Sequence, residues 1–149
     1  MTSLHIDPAT AEAASARLRT AARLRQPCAP IRDLFAPDDA TGGYAVQQLG
    51  IGARVAEGAR VVGRKIGLTS RPMQQMLGVD EPDFGVLLDD MFVEDGDEIP
   101  LGTLLQPRVE AELAFVMDRD LAGPGVTTAK ALTAVAGVLP AIEVVDSRV

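Results

Sequence analysis

One cysteine, one histidine and no tryptophan occur in this chain of 149 residues. With Cys28 alone, neither an intrachain disulfide nor a multi-cysteine zinc site can form. Cys28 beside Pro27 could be a nucleophile, but a small buried or half-buried apolar residue is the expected reading. With His5 alone, and that near the start in a segment expected to fray, histidine triads and HExxH zinc sites are excluded. Aromatic residues make up only 3% and no dense Lys/Arg block occurs, while 14 basic against 21 acidic residues leave a net charge of −7. Stacking platforms and phosphate-tracking grooves are therefore missing, and nucleic acid is not an expected partner. The N-terminus lacks a basic-then-apolar leader, and no apolar run reaches membrane-spanning length. A cytoplasmic, reduced protein with no membrane partner is expected.

What remains is ordinary globular material: 47% hydrophobic and 23% charged, enough for one domain with a real core. Asp7-Pro8 reads as an N-cap with proline at the first helical position, opening a helix to about Arg25. Leu18, Ala21, Ala22 and Leu24 would form its apolar face. A second helix is expected from about Asp39 to Glu57, ending at Gly58, although Gly42, Gly43, Gly50 and Gly52 weaken it. From Arg60 the texture changes. Residues 61–68 read as a strand whose glycines suggest a bulge or close backbone approach. Ser70 can cap a short helix to about Leu77, with Gly78 past its end. Short strands are expected at Phe84–Leu88 and Met91–Val93, with a turn at Asp95-Gly96-Asp97. A long strand follows around residues 106–116, then a loop at Gly123-Pro124-Gly125, a helix from about Thr127 to Ala136 and a strand from about Leu139 to Val145.

The 106–116 segment carries the most chemistry. Side chains alternate along a strand, so Glu110 and Glu112 share one face while Val109, Ala111 and Leu113 take the other. Two like charges on a buried-looking strand are costly, and a hard divalent cation with oxygen ligands offsets that cost. An edge strand whose polar face meets water is the plainer alternative. Glu143, in the apolar strand Ala141–Val145, is either a salt-bridge partner or a third carboxylate, completing a site suited to Mg²⁺ or Mn²⁺. Such an ion would orient an oxygen-rich substrate and stabilise an enolate. Lys65, between Gly63 and Gly67, is an acid/base candidate if buried and a solvated cation if not. Asp83, after the restricting Pro82 and before a short strand, reads by itself as a turn or capping residue.

Four ordered blocks resemble a known family: Gly63-Arg64-Lys65-Ile66-Gly67-Leu68-Thr69-Ser70; the run from Gln74 to Leu87 containing Glu81-Pro82-Asp83-Phe84-Gly85; Pro107-Arg108-Val109-Glu110-Ala111-Glu112; and the run from Leu139 to Arg148 around Glu143. With Pro30-Ile31-Arg32-Asp33-Leu34, they resemble the 2-keto-4-pentenoate hydratases of the fumarylacetoacetate hydrolase-like superfamily. The resemblance implies an α+β protein: a helical region over residues 1–59, then the first part of a mixed β-roll or barrel over 60–149. It implies Glu110, Glu112 and Glu143 as ligands of Mg²⁺ or Mn²⁺, with Lys65 and Asp83 as catalytic acid/base groups. It further implies a cytoplasmic homo-oligomer acting on a small 2-hydroxydienoate in aromatic or steroid meta-cleavage, in company with other enzymes of that pathway. Members of the family continue past the point corresponding to Val149, so a C-terminally truncated chain is expected. The alternatives are a 4-oxalocrotonate decarboxylase, a 2-oxohept-4-ene-1,7-dioate hydratase, or a non-catalytic subunit.

Overall fold

The computed structural model describes residues 7–36 and 39–149 of an α+β chain; His5, and with it the expectation of a frayed segment, lies outside them. Helix α1 spans Pro8–Leu24 and α2 spans Ala40–Ala56. The Asp7 carboxylate accepts hydrogen bonds from the N–H groups of Ala9 and Thr10, as its N-cap position requires. Those bonds, with one from the Thr10 hydroxyl, hold the Asp7 carboxyl below the usual carboxylate range.

The two helices pack on each other through Ala11, Ala14 and Val46, with Leu18, Ile31, Leu34 and Phe35 around them. This contact face extends the one expected: Leu18 packs on the cluster, Ala21 is buried and Ala22 half-buried, Leu24 alone is exposed, and Ala11, Ala14 and Ser15 add buried positions towards the start of the helix. Small side chains on α1 let α2 come close: a Cβ placed on Gly50 would lie 3.8 Å from Ser15 Oγ. The glycines that weaken α2 in isolation therefore do not break it, because a packed face outweighs helix propensity. Gly58, at φ 110°, follows its end.

Strands β1 (Val61–Gly67) and β2 (Asp83–Leu88) pair antiparallel, with a register shift between Val61 and Gly63, the irregularity those glycines suggest. Between them runs α3 (Arg71–Leu77), closed by Gly78 at φ 72°. Ser70 sits at its N-cap, but its hydroxyl makes no capping bond. The buried Gln74 secures that corner by donating to the Leu68 carbonyl at 2.7 Å. The strand expected at Met91–Val93 is absent. Asp89–Met91 is a 3-10 turn, because the Asp89 carboxylate accepts from both the backbone N–H and the guanidinium of Arg60 at 2.9 Å and bends the chain there. The same two bonds hold the Asp89 carboxyl below the usual range.

Strands β3 (Pro107–Met117) and β4 (Val135–Asp146) form a second antiparallel pair, connected through α4 (Thr128–Ala134). Helix α4 stops two residues short of expectation and β4 begins four residues early. Val135 pairs with Met117, and the Asp118 N–H donates to the Ala134 carbonyl at 2.8 Å, so the ladder outcompetes another helical turn. The expectation of a buried β3 also fails: Val109 is 73% exposed, Leu113 64% and Ile142, opposite Ala111 on β4, 75%. Few links join the layers. The Phe84 N–H donates to Tyr44 Oη, Gln47 donates to the Phe84 carbonyl, Arg54 pairs with Asp90, and the Cys28 N–H reaches the Arg148 carbonyl at 2.9 Å. Cys28 is half-buried, as expected, with its thiol also on that carbonyl.

Candidate metal centre

The β3–β4 register sets Glu110 directly opposite Glu143 and Glu112 opposite Ala141. Residues facing each other across an antiparallel pair share a sheet face, and side chains two apart on one strand share it too. All three carboxylates therefore lie on one face, and one oxygen from each lies within 4.8 Å of the others. Like charges placed directly opposite destabilise a ladder unless something compensates. Ala141, Ala114 and Leu139 line the same face and can supply no charge, while Arg108, two residues before Glu110, lies on that face at its far end.

One compensating charge is visible. Lys65 Nζ, on β1, donates to Glu143 Oε1 at 2.7 Å and bridges the two hairpins. Burial pulls the Lys65 pKa down, but the hydrogen bond and charge of Glu143, together with Asp83 and Glu110, outweigh it, and the net shift is upward. Lys65 is thus held as an ammonium at the rim of the cluster.

Asp83 belongs to the same constellation. Lys65 pairs with Gly85 and Asp83 with Gly67, so both side chains rise from one face of the β1–β2 hairpin, on diagonal positions. All five residues singled out in the sequence converge here. Local pattern gives Asp146 no role, yet its carboxylate accepts from the N–H groups of Leu105 and Gln106 at 2.8 Å each and anchors the start of β3. Its only signal is an aspartate ending an apolar run.

The donor set fits a hard divalent cation. It offers three carboxylates and no sulfur or nitrogen ligand, two of the three glutamates are exposed to an entering ion, and the apolar neighbours contribute no competing donor.

The fold has counterparts among known proteins. The chain superimposes on 4-oxalocrotonate decarboxylase from Pseudomonas putida G7, solved with magnesium and adipate, with a TM-score of 0.89 and 29% identity; the match covers 97% of this chain and 55% of that one. A second structure of that enzyme, with calcium and acetate, matches equally well. The class is therefore the α+β fold of the fumarylacetoacetate hydrolase-like proteins.

In sequence the chain is 50% identical over 138 residues to 2-keto-4-pentenoate hydratase 2 of Dechloromonas aromatica, covering 93% of this chain and 53% of that protein. It is also 50% identical over 135 residues to the 2-keto-4-pentenoate hydratase of Burkholderia vietnamiensis, covering 91% and 52%. A 2-hydroxypent-2,4-dienoate hydratase of Pseudomonas putida is 53% identical over 97 residues, covering 64% and 44%. By sequence the chain is similar to the 2-keto-4-pentenoate hydratases, and it spans about half the length of these relatives. No protein-family model matches it. Among the described residues, no helix is long and apolar enough to cross a membrane.

Proposed function

We propose that this chain carries the metal-binding half of a divalent-metal-dependent hydratase, one that adds water to 2-hydroxypenta-2,4-dienoate or a close homologue to give a 4-hydroxy-2-oxo acid. The observation that carries the reading is the register match of Glu110 with Glu143 beside Glu112, with the Lys65 ammonium on the cluster. Glu110, Glu112 and Glu143 are the proposed ligands, and Mg²⁺ or Mn²⁺ the proposed ion. A cation held there supplies a Lewis acid that stabilises negative charge building on substrate oxygens.

The chain's own groups divide the remaining work. Lys65, kept charged by Glu143, offers a hydrogen-bond donor and a positive charge to an anionic substrate. Asp83, an exposed carboxylate on the same face, accepts a proton from the attacking water or returns it to carbon. The finer architecture belongs to this proposal as well: a helical region to residue 59, the first part of a mixed β-roll from residue 60, and assembly as a homo-oligomer in a cytoplasmic meta-cleavage pathway.

Loss of the dienol absorbance in the presence of Mg²⁺, with and without a chelator, tests the reading. The expected result is metal-dependent consumption, cut on the order of a hundredfold in Glu112→Gln, and an upward shift of the thermal transition on adding Mg²⁺ to the parent chain. Unchanged turnover in Glu112→Gln would sink the ligand assignment. The structural likeness favours one second reading, a decarboxylase; release of CO₂ from 4-oxalocrotonate would decide for it. The higher identity to the hydratases, 50% against 29%, puts hydration first.

A further inference from the structure

Glycine is poorly suited to strands, yet β1 and β2 carry three, and two of these stand directly across from the groups that handle charge. Neither Gly67 nor Gly85 has a positive φ, so backbone conformation does not call for glycine at either position. Space does. A Cβ built on Gly85 would lie 2.5 Å from Lys65 Cγ and 2.9 Å from Lys65 Cδ, and nothing but Lys65 lies within 4 Å of it. A Cβ on Gly67 would lie 3.0 Å from Asp83 Cγ and closer still to one of its carboxylate oxygens, and its three nearest neighbours all belong to Asp83. Gly63, the third glycine, is different: a Cβ there meets only Leu87, at 3.5 and 3.7 Å, an ordinary contact.

We infer that Gly67 and Gly85 are positioning residues. Each is the bare floor over which the opposing side chain lies, Asp83 over Gly67 and Lys65 over Gly85. Lys65 crosses that floor to reach Glu143, 78 positions away in the chain. A methyl group on Gly85 would strike Lys65 at Cγ, too near the backbone for the flexible end to absorb, and would swing the ammonium off Glu143. A methyl group on Gly67 would displace the Asp83 carboxylate outright. The catalytic significance rests on the reading of Lys65 and Asp83 as proton-handling groups; the geometric part does not.

Two double-mutant cycles test it, on the whole 149-residue chain. Gly85→Ala is made in the parent and in Lys65→Ala, and Gly67→Ala in the parent and in Asp83→Ala, with Gly63→Ala as control. Each glycine substitution is expected to lower Tm in the parent and to leave it unchanged or slightly raised once the opposing side chain is cut back. Gly63→Ala should be neutral or mildly stabilising. If Gly85→Ala prevents folding, Lys65→Ala should restore it. Equal losses in both backgrounds, or no restoration, would overturn the inference.

A spectroscopic readout separates positioning from mere stability. A lysine Nζ–carboxylate coupling from Lys65 to Glu143, expected in the parent from their 2.7 Å hydrogen bond, should be lost in folded Gly85→Ala and persist in Gly63→Ala; its absence from the parent or its persistence in Gly85→Ala overturns the role. If the parent hydrates the dienol, Gly85→Ala should lower kcat on the order of tenfold to a hundredfold with KM little changed. Turnover by the parent bears on the hydratase reading alone; without it, the cycles and the coupling still decide this inference.

Discussion

The α1–α2 pair and the β3–β4 ribbon are held together by different forces. The helices bury a small shared core of Ala11, Ala14 and Val46, ringed by larger apolar side chains. The ribbon is an unbroken ladder from Pro107↔Asp146 to Val116↔Gly137, yet its apolar face is open: Val109, Leu113, Phe115 and Ile142 are all exposed. In the helices, burial and close packing hold the backbone in place. In the ribbon, backbone hydrogen bonds and cross-strand pairs do so, and the side chains of one face are left over. The proposed metal centre stands on the second kind of structure, where register is exact but burial is slight.

Three substitutions would break or sharpen this contrast. The largest effect is expected from Ala14→Leu, because Ala14 is fully buried where α1 meets α2. Overpacking there should cost about 1–3 kcal/mol, read as a lower urea midpoint at unchanged slope. A neutral result would mean the helices are not closely packed. Next comes Asp146→Ala, which leaves the Leu105 and Gln106 N–H groups without their acceptor. About 1–2 kcal/mol should be lost, with hydrogen exchange rising first at the start of β3; uniform exchange across the chain would contradict a local anchor. The smallest effect is expected from Ile142→Thr, which keeps a β-branched side chain at an exposed site. Stability should change by no more than about 0.5 kcal/mol. A loss as large as that from Ala14→Leu would show that the open face is covered in solution.

Local features were largely legible because their causes are local. Asp7 caps α1, Gly78 ends α3 in the left-handed region, and the glycines of β1 coincide with a register shift. Strand-like composition at Met91–Val93 misled because the competing interaction, Arg60 with Asp89, comes from 29 residues away. The α4–β4 boundary misled for a related reason. Val135 and Ala136 suit a helix, but the partner strand Pro107–Met117 has a hydrogen-bonding position waiting for Val135. The face of α1 that packs is legible over Leu18, Ala21 and Ala22, but its continuation through Ala11, Ala14 and Ser15 depends on how closely α2 approaches.

The site divides in the same way. Alternation along β3 suffices to place Glu110 and Glu112 on one face, and four ordered motifs suffice to indicate the family. Composition suffices to exclude an intrachain disulfide and a multi-cysteine zinc site within these residues. Each of these depends only on neighbours in sequence or on residue counts. Tertiary structure alone decided that Glu143 stands opposite Glu110, that Lys65 reaches it from another hairpin, and that Gly67 and Gly85 clear the floor beneath Asp83 and Lys65. Register between distant strands is a sum over a whole ladder and its connecting loops, and the space above a glycine depends on what lies across from it.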